Sequence, residues 1–538
     1  MRKIMLLFVL VATAMTAQED ALVFFADKVD VAASVANPIS ILTQRAIDRK
    51  LLHGTPIDVR DVPVNEAYIT QIKNTPGITV YAKSKWMNSV YVRGSETNIN
   101  NLLDQSFVTG VEFADKSLNL YPIGGDGAED KFRMENDSAQ ITYDYGAADS
   151  QTTMISADFL HDLDFAGEGM IVAVLDNGFP GVFSNPAFAH IVDEDRILDT
   201  YDFVEREINA DGTGSHGLNT FSDIGALLGD QMTGTAPQAS FYLYVTEDGF
   251  QENPVEEAYW VEALERADSL GVDVVNTSLG YQDFDNPAYD HSYADLDGQT
   301  TIAARGGNHA FDKGMILVTS AGNDGQSFVH VATPADAPGV FTIGAVDSDE
   351  NYASFSSIGP TVDGRIKPDV MAQGVSAAVI DTGGNVNFSN GTSFSSPIMA
   401  GAIASLWQSR PETTNAQLMQ IVRESAHLFD NPTNEMGYGI PNMEEAYNAL
   451  QLLGNAEILQ ATQIAMYPNP AHSHIAFSFP NNNANASVAI YAITGKLVFE
   501  IDSLVENQQL DISGLSSGAY LVKVVTSETE NIFKLIKN

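Results

Sequence analysis

The sequence predicts an α/β protein: a parallel sheet flanked by helices, preceded by a small α+β segment and followed by a β-sandwich. Three observations predict it. Between about residues 147 and 453, short apolar strands alternate with longer helical segments, as βαβ units do when their sheet is covered on both faces. Residues 21–120 mix strand-like and helix-like pieces without that regular alternation. Beyond 453 the segments are β-type and separated by turns.

Taken in order, the chain opens on Met1-Arg2-Lys3, an apolar stretch over 4–11, and the small residues Ala12, Thr13, Ala14, Thr16 and Ala17. A basic start, a short apolar core and small residues predict a secretory signal peptide over 1–17, since the apolar part is too short to span a bilayer. Residues 18–138 are read as an α+β segment with a linker. Strands are expected at 22–25, 79–82 and 89–92 and a helix at 44–52. Gly124-Gly125-Asp126-Gly127 opens a polar stretch suited to a processing region.

Residues 139–455 form the large α/β domain. Its strands are expected at 170–175, 241–245, 272–275, 315–318 and 340–346, and its helices at 255–270 and 393–408. The stretch 281–307, rich in Asp, Tyr and Gly, reads as a surface excursion. Residues 460–538 begin with Tyr467-Pro468-Asn469-Pro470 and offer strands at 475–479, 487–493, 496–501 and 520–525. Thr494-Gly495 between two of them predicts a hairpin.

Composition removes several function classes. With 27 Lys plus Arg against 70 Asp plus Glu, a net charge of −43 repels phosphate backbones, so nucleic acid is excluded as a partner. Such acidity suits solubility outside the cell. The absence of cysteine rules out disulfides, thiolate nucleophiles and cysteine zinc sites.

Three motifs stand at strand ends or helix starts, where open parallel sheets place their sites. Asp176 follows the strand at 170–175 and could orient an imidazole. His216, in Gly214-Ser215-His216-Gly217-Leu218, could act as general base. Ser393, in Gly391-Thr392-Ser393-Phe394-Ser395-Ser396-Pro397, sits where a turn enters a helix, so backbone N–H groups and the helix dipole can stabilise an oxyanion. Pro397 is expected in the first turn of that helix, where proline is tolerated. His53-Gly54-Thr55 is a competing histidine motif, rejected because it precedes Asp176 and lies in a different predicted domain.

The order Asp176, His216, Ser393, with gaps of 216 − 176 = 40 and 393 − 216 = 177, resembles that of the subtilisin-like serine proteases, the subtilase family. Gly234-Thr235-Ala236-Pro237 and Val274-Val275-Asn276-Thr277-Ser278-Leu279-Gly280 resemble further family segments. The resemblance implies a subtilisin-like fold, a catalytic triad of Asp176, His216 and Ser393, and Asn323 of Ser320-Ala321-Gly322-Asn323 as oxyanion-hole donor. It implies that Ser278, Leu279, Gly280, Ala321 and Gly322 bind the peptide substrate. Asn177 after the aspartate and Leu218 after His-Gly depart from the common pattern without removing a functional group.

The amino-terminal segment similarly resembles subtilase prosegments, which assist folding and block the site until cleaved. The tail, through Tyr467-Pro468-Asn469-Pro470, Ile493-Thr494-Gly495-Lys496 and Leu515-Ser516-Ser517-Gly518-Ala519-Tyr520, resembles the sorting domain read by the type IX secretion system. Together these imply a secreted or cell-surface endopeptidase with protein or peptide substrates and the secretion machinery as partner. No cofactor is required for the chemistry; structural calcium is compatible with the family, though no Asp cluster has an EF-hand spacing. Two rival classes share parts of this pattern. An α/β-hydrolase esterase would show Gly-x-Ser-x-Gly and the order Ser, Asp, His, which this chain lacks. A catalytically inactive surface-binding or adhesive protein would keep the fold and lose the chemistry.

Overall fold

The computed structural model describes residues 18–119, 143–461, 465–478, 486–504, 508–526 and 530–538. The expected signal peptide and the linker at 124–138 lie outside these residues. Two compact units are present, Met1–Asn448 and Ala449–Asn538.

The first unit starts with strand β1 (Glu19–Phe25), helices α1 (Gln44–Leu52) and α2 (Glu66–Lys73), then β2 (Ile78–Ser84), β3 (Ser89–Gly94) and β4 (Val108–Phe113). The strands form an antiparallel sheet in the order β2-β3-β1-β4. Alternation sends Ala21, Val23, Val90 and Val92 to one face, where they pack with Ile69 and Ile72 of α2. Leu22, Tyr91 and the turn residue Trp86 face the other way, into the core of the large domain. Thr43 caps α1 by accepting the Ala46 N–H at 3.2 Å, which is why the helix begins where the sequence predicts.

The large domain is built on a seven-stranded parallel sheet. Its elements are β5 (Ile171–Asp176), β6 (Ile197–Asp202), α3 (His216–Gly225), β7 (Ser240–Val245), α4 (Val255–Leu270), β8 (Val274–Thr277), α5 (Ile302–Asp312), β9 (Ile316–Ser320), β10 (Val340–Val346), β11 (Val370–Gln373) and α6 (Thr392–Gln408). The order is β11-β10-β9-β8-β5-β7-β6. Every residue of β5, β8, β9 and β10 is buried, as a sheet covered on both faces requires. Helix α4 spans the expected residues because Gly271 takes φ 90° just beyond its end, a left-handed cap that suits glycine.

Two expectations need correction here. Strand β8 begins at Val274, two residues later than the apolar run suggested. Asp273 precedes it and takes the Ile171 N–H on its carboxylate at 2.9 Å, so a side chain occupies the place of a ladder carbonyl. The stretch 281–307 is no surface excursion: Tyr281, Phe284, Tyr289 and His291 are buried, and α5 begins at Ile302 within it.

The amino-terminal segment grips the large domain at several places, two of them around buried carboxylates. Glu265 of α4, fully buried, accepts the Ser84 hydroxyl at 2.6 Å and the Lys85 and Trp86 N–H groups at 2.7 and 2.9 Å. Beneath the sheet, α1 reaches the amino-terminal ends of β8 and β9. Arg45 pairs with Asp273 at 2.6 Å, Arg49 and Lys50 each meet Asp268 at 2.6 Å, and Lys313 meets Asp61 at 2.8 Å. Arg49 also donates to the carbonyls of Val272 and Lys313.

In the second unit, strands at Ala465–Tyr467, His474–Ser478 and Leu510–Asp511 make one sheet; Ala486–Ala492, Leu497–Leu504, Gly518–Val525 and Glu530–Lys537 make another. Ile475, Phe477, Val488, Ile490, Val522, Val524 and Leu535 fill its core, and Thr494-Gly495 turns the expected hairpin.

Candidate active site

Asp176 is the last residue of β5, buried at the carboxyl edge of the sheet. Its two oxygens lie 2.9 and 3.0 Å from His216 Nδ1. It also accepts the Asn177 N–H at 2.8 Å and the Thr220 hydroxyl at 3.3 Å. Its charge lifts the His216 imidazole above the ordinary histidine value, outweighing the opposing effect of burial. With Nδ1–H engaged by the carboxylate, Nε2 is the nitrogen left to act as base.

His216 is itself the first residue of α3, which ends at Gly225. Gly217 allows the helix to sit this close: a Cβ there would lie 2.8 Å from the Asp176 Cβ and 2.6 Å from the Gly178 carbonyl. The two departures from the common motif keep their backbone contacts. The Asn177 carbonyl accepts the Thr213 N–H at 2.9 Å, and the Leu218 N–H donates to Gly178 at 3.1 Å.

Ser393 is the second residue of α6, with its hydroxyl donating to the Ser278 carbonyl at 3.3 Å. Asn323 lies three residues beyond β9. Its Oδ1 accepts both the N–H and the hydroxyl of Thr392, at 2.9 and 3.0 Å, which turns its Nδ2–H group away from those contacts and leaves it to donate elsewhere. Ser278, Leu279 and Gly280 follow β8 directly, and Ala321 and Gly322 follow the adjacent β9, so all five lie at the carboxyl ends of paired strands, where open parallel sheets place their sites.

Thr392 and Thr220 escaped the sequence reading. Thr392 stands inside the serine motif, and Thr220 lies one turn after His216, so position alone could have flagged both. Pro397 requires a correction: α6 begins at Thr392, so the proline is its sixth residue and lies inside the helix, not in its first turn. The rejected His53 is buried, stacked on Trp407 at 5.2 Å with Nε2 against the Pro411 carbonyl at 2.8 Å. Among the described residues no three His, Cys, Asp or Glu side chains converge as a metal site would need, and none is assigned to calcium.

Comparison with known families bears on this arrangement. Residues 167–439, half of the chain, match the Subtilase family. The chain is a subtilase. Residues 20–131 of this subtilase match the Peptidase S8 propeptide domain of Bacteroidota, and residues 465–538 match a secretion system C-terminal sorting domain.

The subtilase is similar to subtilisin NAT of Bacillus subtilis subsp. natto, 31% identical over 55% of this chain and 70% of that protein. It is similar to serine protease AprX of Bacillus subtilis (strain 168), 28% identical over 52% of this chain and 66% of AprX. It is also similar to the membrane-bound transcription factor site-1 protease of Rattus norvegicus, 29% identical over 55% of this chain and 26% of that protein. The sorting domain marks the subtilase for export to the cell surface or beyond it. Among the described residues no helix is long and apolar enough to cross a membrane.

Proposed function

We propose that this subtilase is a secreted serine endopeptidase in which Asp176, His216 and Ser393 are the triad and Asn323 supplies the oxyanion donor. The observation that carries the reading is the grip of both Asp176 oxygens on His216 Nδ1, at the strand end beside the helix start that bears Ser393.

A peptide laid along residues 278–280 offers its own N–H to the Ser278 carbonyl, and the Ser393 hydroxyl, held there at 3.3 Å in the resting site, turns to His216. His216 Nε2 takes the hydroxyl proton as Oγ attacks the scissile carbonyl carbon. The oxyanion receives the Asn323 Nδ2–H and the Ser393 N–H, which has no intrahelical acceptor because it lies in the first turn of α6. The imidazolium, stabilised by Asp176, gives its proton to the leaving amine as the C–N bond breaks. Water then repeats the sequence on the acyl-enzyme and frees the acid. The propeptide segment occludes the protease before cleavage, and the sorting domain delivers it to the secretion machinery.

An active-site phosphonate tests this. Wild-type protein is labelled and Ser393→Ala is not. A folded wild type that resists labelling would support the inactive surface-binding reading and sink the protease.

A further inference from the structure

Proline has no N–H, and its ring crowds the carbonyl four residues back. For Pro397 that carbonyl belongs to Ser393, so the nucleophile stands on the one residue of its turn whose carbonyl is denied a helical donor. The Ser278 hydroxyl donates to that carbonyl at 2.8 Å.

The hydroxyl is itself held in direction. Asn276 Nδ2 donates to Ser278 Oγ at 3.1 Å, and Asn276 Oδ1 accepts the Ser396 hydroxyl at 2.8 Å. With the amide reversed, the Ser278 hydroxyl would have to donate to Asn276 Oδ1, and the buried Ser393 carbonyl would lose its donor. Donation therefore runs one way, from Ser396 to Asn276 to Ser278 to the Ser393 carbonyl. It begins and ends on α6 and passes through the end of β8. All four residues are buried, where an unmade hydrogen bond is costly.

We propose that the Ser278 hydroxyl is a positioning group that replaces the amide Pro397 lacks and sets the height of Ser393 above the substrate edge. Ser278 meets the nucleophile with both its polar ends: its hydroxyl holds the Ser393 carbonyl, and its own carbonyl receives the Ser393 hydroxyl. The spacing between nucleophile and peptide edge is thus fixed through a single residue. Such placement matters because small displacements of a reacting atom cost rate steeply.

The proposal rests on the proteolytic reading of Ser393, and a double-mutant cycle tests it in the full chain. Ser278→Ala should lower kcat about 10-fold, the equivalent of one buried hydrogen bond, with KM changed less than about 2-fold. Pro397→Ala returns an N–H to the helix, so in that background the same substitution should cost less than about 3-fold. The rate of phosphonate labelling should follow kcat through the cycle.

Equal losses in both backgrounds, or an effect confined to KM, would overturn the proposal. If Ser278→Ala fails to fold, Ser396→Ala carries the cycle, with a loss of about 3-fold that disappears beside Pro397→Ala; persistence of that loss overturns the proposal as well. A wild type that takes no label refutes the protease itself, and a labelled wild type with an additive cycle refutes only the role of Ser278.

Discussion

Glu265→Ala should loosen the propeptide without touching catalysis. The carboxylate is fully buried in α4 and takes two backbone N–H groups, of Lys85 and Trp86, besides the Ser84 hydroxyl. Deleting it strands two donors at about 1–3 kcal/mol each. A cavity of about 270 Å³, lined by Glu265, Lys85 and Ser269 among others, adjoins the carboxylate, so water can enter the space a shortened side chain would leave. The lower half of the range therefore applies, about 1–2 kcal/mol per donor and roughly 2–4 kcal/mol in total, or about 30- to 900-fold in the inhibition constant. The assay adds the isolated propeptide, residues 18–119, to mature wild-type and Glu265→Ala enzyme and titrates peptide hydrolysis. An inhibition constant changed by less than about 3-fold, or a parallel fall in kcat, would refute the assignment of Glu265 to docking.

Three further outcomes follow from the same geometry. Burial holds the Glu265 carboxyl at about 7 in the docked state against an ordinary 4.5, so docking takes up a proton in that window. Inhibition should be tightest below the free value and weaken as pH rises through 7, and Glu265→Gln should flatten the slope. Because Asp176 raises His216, kcat/KM should climb with pH through a midpoint above the ordinary imidazole value. Asp176→Asn should lower that midpoint and cut the rate on the order of 10⁴-fold, as read from pH profiles. Asn323→Ala should reduce kcat by about 10²–10³ with little change in KM, the scale known for the oxyanion-hole asparagine of subtilisin.

The candidate triad was legible because such chemistry needs fixed residue types at one strand end and two helix starts, and Asp176, His216 and Ser393 stand there in a recognisable order. Helices α1 and α4 were legible to the residue because local signals, Thr43 and Gly271, mark their ends. What the sequence hid was tertiary. The start of β8 depends on where the Asp273 carboxylate points, and an apolar run carries no information about that. Pro397 was misplaced because its tolerance inside α6 comes from Ser278, which lies 397 − 278 = 119 residues away. The burial of 281–307 could have been suspected from Tyr281, Phe284 and Tyr289, since clustered aromatics are poor candidates for solvent.

The ion pairs under the sheet bear on how the protein comes to be folded at all. Parallel pairing is slow because partners are distant in sequence; Val274 of β8 meets Val172 of β5 across 274 − 172 = 102 residues, and loop closure precedes any reward. The segment carrying Arg45, Arg49 and Lys50 is synthesised before either strand, with an apolar core of its own between its sheet and α2. It offers the starts of β8 and β9 a surface on which to align. Once excised, it takes away a route to the native sheet and leaves the pairing between the strands intact. On the proposed reading, the endurance of the excised protease outside the cell is then a matter of how slowly it unfolds, since the segment that aligned its strands is no longer part of it.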